Sequence, residues 1–271
     1  MRPLFVAVAG DAASVNLRSQ LLKLPVWRAL PSPPEVEVEA FESFRSRALL
    51  VFFRDPSIRM THLDDVDEQA RLWFDDGAPF SDVIFLSRHT AASGRPSLCV
   101  HPIGVPVDGD AARFGGSLGV FVPPSPLIAA LYRRIRRQTL ACAETGDAFE
   151  MTLEATHHGP KLKTPSCFVE IGSGDAQYSQ LAPAALWAGV LNDVVLKEGG
   201  APYYDDFVGD EAKVVVSLGG GHYQPKVGDL CGADDDLFLG HMVASYNFGT
   251  LSDDDDDKED APWRQTVKTA L

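Results

Sequence analysis

Imidazole side chains in this sequence collect at the ends of predicted strands. The chain has seven histidines, and five of them close or follow a short apolar run. In open α/β sheets the ligand site borders the carboxyl ends of the strands, so imidazoles at several strand ends can meet. A single histidine of this kind would be explained by a turn hydrogen bond, but five predict a shared site. These are His89, His101, His157, His158 and His222, whereas His62 is expected on the surface and His241 is left open.

The richest of these segments reads EATHHGP and covers residues 154–160. In an extended backbone Glu154, Thr156 and His158 share one face, and His157 points to the other. A carboxylate, a hydroxyl and an imidazole on one face can orient a water, bind a metal or shuttle a proton. We therefore predict Glu154, Thr156, His157 and His158 as catalytic residues.

A second carboxylate, Glu170, is the lone acid in the apolar segment SCFVEIGS, residues 166–173. A buried carboxylate without a partner is costly, so this side chain needs a metal, a cationic side chain or backbone N–H groups. A structural ion pair would meet that need as well as a role in the site would. Both alternatives stay open for Glu170.

Two glycine-containing strand ends could bring backbone N–H groups close to a ligand. One follows the SCFVEIGS segment, and the other, LGGGHY at 218–223, could form a nest for a phosphate or an oxyanion. Neither has the spacing of a phosphate-binding Walker loop or of a dinucleotide fingerprint. Arg88 is the best candidate to grip a phosphate or a carboxylate. The predicted substrate-binding residues are thus Arg88, Gly172, Ser173, Gly220, Gly221 and Tyr223.

A basic stretch, YRRIRR at residues 132–137, stands out from the acidic background. On a helix its arginines flank an apolar stripe, and residues four apart are neighbours. Arg133, Arg134 and Arg137 could contact nucleic-acid phosphates. The alternative is an exposed helix face that is paired with nearby acids.

The elements that position these residues alternate between strands and helices, which predicts a three-layer α/β/α domain with a mixed, mostly parallel sheet. Residues 102–125 are rich in glycine and proline and are predicted to form a long loop. Asp11 or Ser14 could cap the first helix. The predicted strands cover 4–9, 36–41, 49–53, 83–86, 97–100, 150–156, 166–171 and 213–218, and the helices extend to about 24 and over 128–141 and 181–196.

Composition limits the class of protein. The 271 residues carry a net charge of −14 with 45% hydrophobic content, which excludes a wholly disordered chain. No apolar run approaches the roughly 18 residues of a membrane span. The start, MRPLFVAVAG, fits a buried strand better than a signal peptide. Four cysteines without a CxxC pair suit a reducing compartment, so a cytoplasmic protein is expected.

Taken together, the motifs resemble those of the archaeal and plant (GEKO-type) D-aminoacyl-tRNA deacylases. EATHHGP and GGGHY are the specific ones, and the matching segments span about residues 4–248. The resemblance implies a single domain over 1–250, followed by an acidic run and C-terminal tail over 251–271. The matching segments are DAASVN (11–16), SRHT (87–90) with Ser93 and Gly94, LCVHPIG (98–104), EATHHGP, FVEIGS (168–173), GGGHY (219–223) and Gly240-His241.

The resemblance implies a phosphorylase/hydrolase-like fold and hydrolysis of the ester between a D-amino acid and the tRNA 3′ end, with L-aminoacyl-tRNA spared. It also implies activity on N-modified, aldehyde-derived adducts, zinc as cofactor, D-aminoacyl-tRNA as partner and a monomer away from membranes. In this interpretation the site holds zinc or positions a water that attacks the ester, and an alternative without metal uses the substrate's own ribose hydroxyl. The expected metal ligands are His89, His101, His222 and Glu170.

Three other functions compete with this interpretation. A zinc aminopeptidase or amidohydrolase would cleave peptides or amides without tRNA. A nucleoside phosphorylase would require inorganic phosphate. A non-catalytic RNA-binding protein would use the basic helix and ignore the attached amino acid.

Overall fold

The structure, a computed structural model, describes residues 1–74, 79–197, 213–248 and 261–271. Within these residues the chain alternates between strands and helices, with short 3-10 turns at Met60–His62 and Ser245–Phe248. The strands are β1 (Arg2–Val8), β2 (Trp27–Leu30), β3 (Val38–Ser43), β4 (Leu49–Phe53), β5 (Phe80–Thr90), β6 (Ser97–His101), β7 (Gly104–Val105), β8 (Val120–Phe121), β9 (Glu150–Leu153), β10 (Ser166–Ser173), β11 (Lys213–Leu218) and β12 (Leu237–Val243). The helices are α1 (Ala12–Leu21), α2 (Val66–Trp73), α3 (Ala111–Phe114), α4 (Ile128–Ala141), α5 (Asp175–Tyr178), α6 (Leu181–Val194), α7 (Pro225–Ala233) and α8 (Pro262–Ala270).

Eight strands form one mixed sheet in the order β2-β3-β4-β1-β5-β10-β6-β9. Strands β4, β1, β5 and β10 run parallel to one another. Strand β6 runs antiparallel to β10 and parallel to β9, and β3 is antiparallel to both β2 and β4. Strand β10 therefore separates β5 from β6, although β5 and β6 are consecutive in the chain.

The sheet is covered on both faces, which gives the three-layer arrangement. Helices α1, α4 and α6 pack on one face, where Leu17, Leu131 and Trp187 are fully buried. Helix α2 packs on the other face over a smaller core that includes Phe85 and Phe168. Burial on both faces explains why the central strands are nearly continuous apolar runs.

The first strand and helix show how the sequence specifies this geometry. All residues of β1 are buried, and Gly10 then passes so close to Pro56 that a Cβ would lie 2.2 Å from its carbonyl oxygen. Asp11 caps α1 by accepting a hydrogen bond from the Ser14 backbone N–H at 3.0 Å. The turn thus requires a glycine first and a capping acid next.

The predicted α/β/α class with a mixed sheet is confirmed, and several elements differ in detail. The segment 102–125 is not a plain loop, because it contains β7, α3 and β8. Strand β11 pairs with β12 in a separate two-stranded sheet. The acidic run Asp253–Asp260 lies outside the described residues, and the tail beyond it includes α8, which packs against β8 and β12. None of the helices in the described residues has the length and apolar character of a membrane span.

Candidate active site

Strand register gathers the predicted site residues on one face of the central strands. In the sheet, Glu170 of β10 pairs with Ser87 of β5 on one side and with Cys99 of β6 on the other. His89 and His101 are two residues further along β5 and β6, and therefore point to the same face. This is the face that α2 covers, where the Phe168 ring stacks against His101 with centroids 5.1 Å apart.

The reason for this convergence differs from the one that the sequence suggested. The carboxyl ends of all the strands were expected to meet at one edge of the sheet. Because β6 runs antiparallel to β10, His101 reaches the site from the opposite direction to His89. The site accordingly lies on the face of the sheet, and not outside one edge of it.

Glu154 lies at the centre of the imidazoles. It directly follows β9 and forms an antiparallel bridge with Tyr223, which places the adjacent His222 over the same carboxylate. The distances to Glu154 oxygens are 3.0 Å from His89 Nδ1, 3.2 Å from His222 Nε2 and 3.7 Å from His157 Nε2. The side chain of Glu154 is fully buried.

Glu170 completes the arrangement from β10. Its Oε2 atom lies 3.6 Å from His89 Nδ1 and 3.8 Å from His101 Nε2. His89 therefore sits between two buried carboxylates, and its Nε2 atom is 2.8 Å from the Tyr223 hydroxyl. We call the whole set the histidine–carboxylate cluster. It consists of His89, His101, His157, His158, His222, Glu154 and Glu170.

Backbone carbonyls fix the orientation of three of these rings. The Nδ1 atoms lie near carbonyl oxygens, at 3.0 Å for His101, 2.8 Å for His157 and 2.6 Å for His158. A carbonyl oxygen only accepts, so each Nδ1 carries the proton and donates. The Nε2 atoms of these three rings are left to bind a metal or a proton. The rings are also close to one another, with centroid distances of 4.1 to 4.9 Å.

The environment of the cluster shifts the pKa values of its imidazoles in opposite directions. Burial alone would raise the pKa of Glu154, but the imidazoles of His222 and His89 hold it well below the usual range. Burial alone would lower the pKa of His89, yet the two carboxylates beside it raise it to about 11. Burial is the main cause that lowers the pKa of His158 to about 4, and the charge on His101 contributes to the same shift. The site thus contains both charged and neutral imidazoles.

A cavity of about 1070 Å³ opens onto the cluster. Its lining includes His89, His157, His158, His222 and Glu170. Its other walls come from the loop after β4, from the end of β5 and from the segment around α3. Glu154 does not line the cavity, so its carboxylate lies behind the imidazoles that face the cavity.

Thr156 does not join the cluster, contrary to the prediction. Its hydroxyl lies 3.0 Å from His241 Nδ1 and accepts a hydrogen bond from the Met242 backbone N–H at 3.1 Å. The extended backbone assumed for this segment does not persist, because the chain bends at Thr156. His157 Nε2 lies 3.7 Å from a Glu154 oxygen, and Thr156 instead contacts β12.

The glycine-rich strand ends act differently from the prediction. Gly172 is paired on both sides within the sheet, and a Cβ there would lie 2.7 Å from the His89 Cβ, so this glycine makes room for the imidazole. Ser173 is buried and donates to the Arg95 carbonyl oxygen at 2.6 Å. Gly220 and Gly221 are absent from the cavity lining and lie beside Gln224, whose amide donates to the Gly221 carbonyl oxygen.

Two of the predicted substrate-binding side chains do lie at the site. Tyr223 contacts His89 through its hydroxyl, as described above. Arg88 lines the cavity with an exposed side chain, while its backbone N–H donates to Asp11 Oδ2 at 3.0 Å. His62 is exposed, as expected.

The arginines of α4 are engaged in contacts within the protein. Arg133 is buried, and its Nη1 donates to the carbonyl oxygens of Asp234 and Leu237 at 3.1 and 3.0 Å. Its predicted contact with tRNA is therefore wrong, because the guanidinium lies inside the fold. Arg134 pairs with Asp193 and Arg137 pairs with Asp235, which matches the alternative of local ion pairs.

Sequence reasoning missed three residues at or beside the site. Cys99 offers its sulfur within 4.8 Å of donor atoms from His89, Glu154 and Glu170. Its position two residues before His101 was the signal, because such residues share a strand face. Tyr246 and Asn247 also line the cavity, and no pattern in the sequence indicated them.

The fold and the cluster define an α/β/α protein with a histidine–carboxylate centre beneath a cavity. A family model described as D-aminoacyl-tRNA deacylase matches residues 77–268. The chain is 35% identical to a D-aminoacyl-tRNA deacylase of Arabidopsis thaliana, with coverage of 100% of this chain and 85% of the relative. It is 28% identical to the Archaeoglobus fulgidus enzyme of the same name, over 92% of this chain and 80% of the relative.

A solved structure has the same fold. The crystal structure of a conserved protein of unknown function aligns with a TM-score of 0.74 and 24% sequence identity, over 99% of this chain and 91% of that one. Given the sequence matches, the chain belongs to the D-aminoacyl-tRNA deacylase family, a family of hydrolases.

Proposed function

We propose that this chain hydrolyses the ester between a D-amino acid and the 3′ end of tRNA at the histidine–carboxylate cluster. The observation that carries the proposal is that four imidazoles and the Glu170 carboxylate line one cavity, with His101 and Glu154 buried against them, in a member of this family. Such groups activate water and transfer protons, which is what ester hydrolysis requires. In this role the chain is a carboxylic ester hydrolase.

The residues of the cluster fit a zinc ion. His101, His157 and His158 offer nitrogens within 4.8 Å of one another, and the His101 Nε2 atom is buried without a hydrogen-bond partner in the described chain. Three imidazoles with an open fourth position are typical of catalytic zinc. We propose that these three residues hold it, where it would supply a positive charge that polarises the ester and acidifies water.

His222 is suited to accept the proton of the attacking water. Its Nε2 atom faces Glu154 at 3.2 Å, so the carboxylate favours a proton there and leaves Nδ1 as the base. This Nδ1 atom lies 3.3 Å from the Tyr246 hydroxyl at the cavity wall. After proton transfer, the negative charge of Glu154 stabilises the imidazolium. The same proton then passes to the ribose hydroxyl that leaves.

The size of the cavity supports a substrate class that is wider than unmodified D-aminoacyl groups. Its volume of about 1070 Å³ is slightly above the range for small-ligand sites, roughly 300–1,000 Å³. We therefore propose that D-aminoacyl groups with an N-linked aldehyde adduct are also accepted.

The test is parallel deacylation of D-Tyr-tRNA and L-Tyr-tRNA by the purified chain, each with and without a chelator. We expect release from the D form only, and loss of that release with the chelator if zinc takes part. Restoring activity by added zinc completes the metal arm. If a folded, zinc-supplemented sample cleaves neither ester faster than buffer does, the proposed function is wrong.

A further inference from the structure

Three arginines lie on the lining of the same cavity as the cluster. Arg59 directly precedes the 3-10 turn at Met60–His62, Arg88 is in β5 and Arg113 is in α3. All three side chains are exposed. We call them the rim arginines. They come from three separate segments that border one opening, so a ligand entering the cavity meets all of them.

In the described part of the chain, no carboxylate oxygen lies within 4.0 Å of a guanidinium nitrogen of the rim arginines. This differs from α4, whose arginines all pair with aspartates. In a chain with a net charge of −14, acids are abundant. Unpaired guanidinium groups around a cavity are therefore available to an anionic ligand.

The acids at the same opening are largely engaged elsewhere. Asp11 accepts hydrogen bonds from the Ser14 and Arg88 backbone N–H groups. Asp110 caps α3 by accepting from the Arg113 backbone N–H at 3.0 Å. Asp108 is exposed on the lining and forms no ion pair with another described residue. These hydrogen bonds leave the negative charges in place, but they hold Asp11 and Asp110 on backbone N–H groups, and no acid of the lining forms an ion pair with a rim guanidinium in the described residues.

Aromatic side chains accompany these charges. Phe114 is 45% exposed, and the Arg113 guanidinium lies over its ring at 4.8 Å. Tyr246, on the cavity wall beside His222, is 56% exposed. Basic groups that track phosphates, combined with exposed rings on which bases stack, characterise surfaces that bind single-stranded nucleic acid.

We propose that Arg59, Arg88 and Arg113 bind the phosphates of the single-stranded RNA end that carries the ester, and so direct this end to the cluster. The inference rests on the proposed function, because it identifies how the substrate of that site is held. It also assigns RNA recognition to the rim of the cavity, and not to the basic helix α4. Guanidinium groups suit this role, since they bind phosphate oxygens through two parallel hydrogen bonds.

The experiment measures binding of uncharged tRNA to the Arg59→Ala/Arg113→Ala double variant over a range of salt concentrations. We expect affinity at low salt to fall by about 10- to 100-fold. The slope of log Kd against log salt should decrease by about 0.7 for each lost contact with a single strand. The matched control is Arg134→Ala/Arg137→Ala in α4, which should bind as the parent chain does.

A second variant separates charge from folding. Arg59→Lys/Arg113→Lys keeps both charges, so it should retain the salt slope while losing part of the affinity. If the rim double variant binds like the parent, the inference is overturned, and a loss confined to the α4 double variant would assign RNA binding to α4. Binding of uncharged tRNA needs no catalysis, so a failure of D-specific deacylation would refute the proposed function without deciding this result.

Discussion

The histidine–carboxylate cluster and the arginines of α4 are two charged regions, of which the first forms a candidate site and the second forms ion pairs within the protein. In the cluster, strand register and the Glu154–Tyr223 bridge bring seven titratable groups from separate segments together, and five of them line one cavity. On α4, adjacent residues already place the arginines together, and each is then paired with a nearby aspartate. Local density of charge in a sequence is therefore weaker evidence for a site than convergence of distant residues.

The largest expected effect concerns the proton acceptor of the cluster. His222→Asn removes the imidazole while leaving a polar side chain of similar reach, and we expect kcat for D-aminoacyl-tRNA to fall by about 10²- to 10⁴-fold. His222 is about one-third exposed, so folding should persist. Single-turnover deacylation measures the effect, and His62→Asn is the matched control because His62 is exposed and outside the cluster. Near-parental kcat in a folded His222 variant would assign the base elsewhere.

Asp82 is a buried carboxylate without imidazole neighbours among the described residues, and it contrasts with the two carboxylates of the cluster. Asp82 is fully buried, accepts from the Ser125 hydroxyl, and has its pKa raised by burial to about 7. The folded protein therefore favours the protonated form, and the free energy of unfolding should decrease as pH rises from about 4 to about 7. The decrease is at most about 4 kcal/mol, from 1.36 kcal/mol per pKa unit.

The variant Asp82→Asn tests this pH dependence. It lacks the titrating group, so its free energy of unfolding should lose that decrease and exceed the parent's at pH 8. Urea unfolding at several pH values gives the comparison. Identical pH profiles for the two proteins would mean that Asp82 does not titrate in this window.

A substitution in the sheet beneath the cluster is expected to have a smaller effect on stability. In Gly172→Ala the new Cβ would meet the His89 Cβ at 2.7 Å, which forces a shift within closely packed strands. We expect a loss of about 1–3 kcal/mol in stability together with reduced kcat. Gly174→Ala is the matched control, because its nearest contact is a flexible glutamine atom at 3.6 Å. Equal melting temperatures for both variants would contradict the packing argument.

The smallest effect is expected on α4. Arg134→Ala breaks a half-exposed pair with Asp193, and such pairs contribute about 0.2–1 kcal/mol. Thermal unfolding should show a change within that range, and deacylation of D-aminoacyl-tRNA should be unchanged. A large rise in KM for this variant would break the contrast between α4 and the cluster.

The sequence predicted the layers of the fold well because they follow from periodic burial. The apolar runs at 49–53 and 166–171 correspond to β4 and β10, and the cap at Asp11 is present. Strand β12 and helix α7 were not predicted, because Gly240 and His241 interrupt the apolar run of the strand and two glycines interrupt the helical pattern. Segment 102–125 was misjudged because its glycines and prolines conceal short paired strands.

The sequence predicted which residue types form the candidate site, but it did not predict how these residues are arranged in space. The histidines and both glutamates come together, but the direction of β6 depends on long-range pairing that no local pattern reveals. The burial of Arg133 likewise depends on the carbonyls of Asp234 and Leu237, about 100 residues away. Thr156 faces His241 because the backbone bends at Thr156 itself.

The position of β10 between β5 and β6 has a consequence for biosynthesis. During translation β5 and β6 emerge long before β10, so the edges that they will share with it have no native partner at that stage. Glu170 arrives on that same late strand and is the carboxylate that both His89 and His101 approach. A ribosome-bound chain that ends before β10 therefore has neither the complete central sheet nor Glu170, and His222 joins the cluster only later.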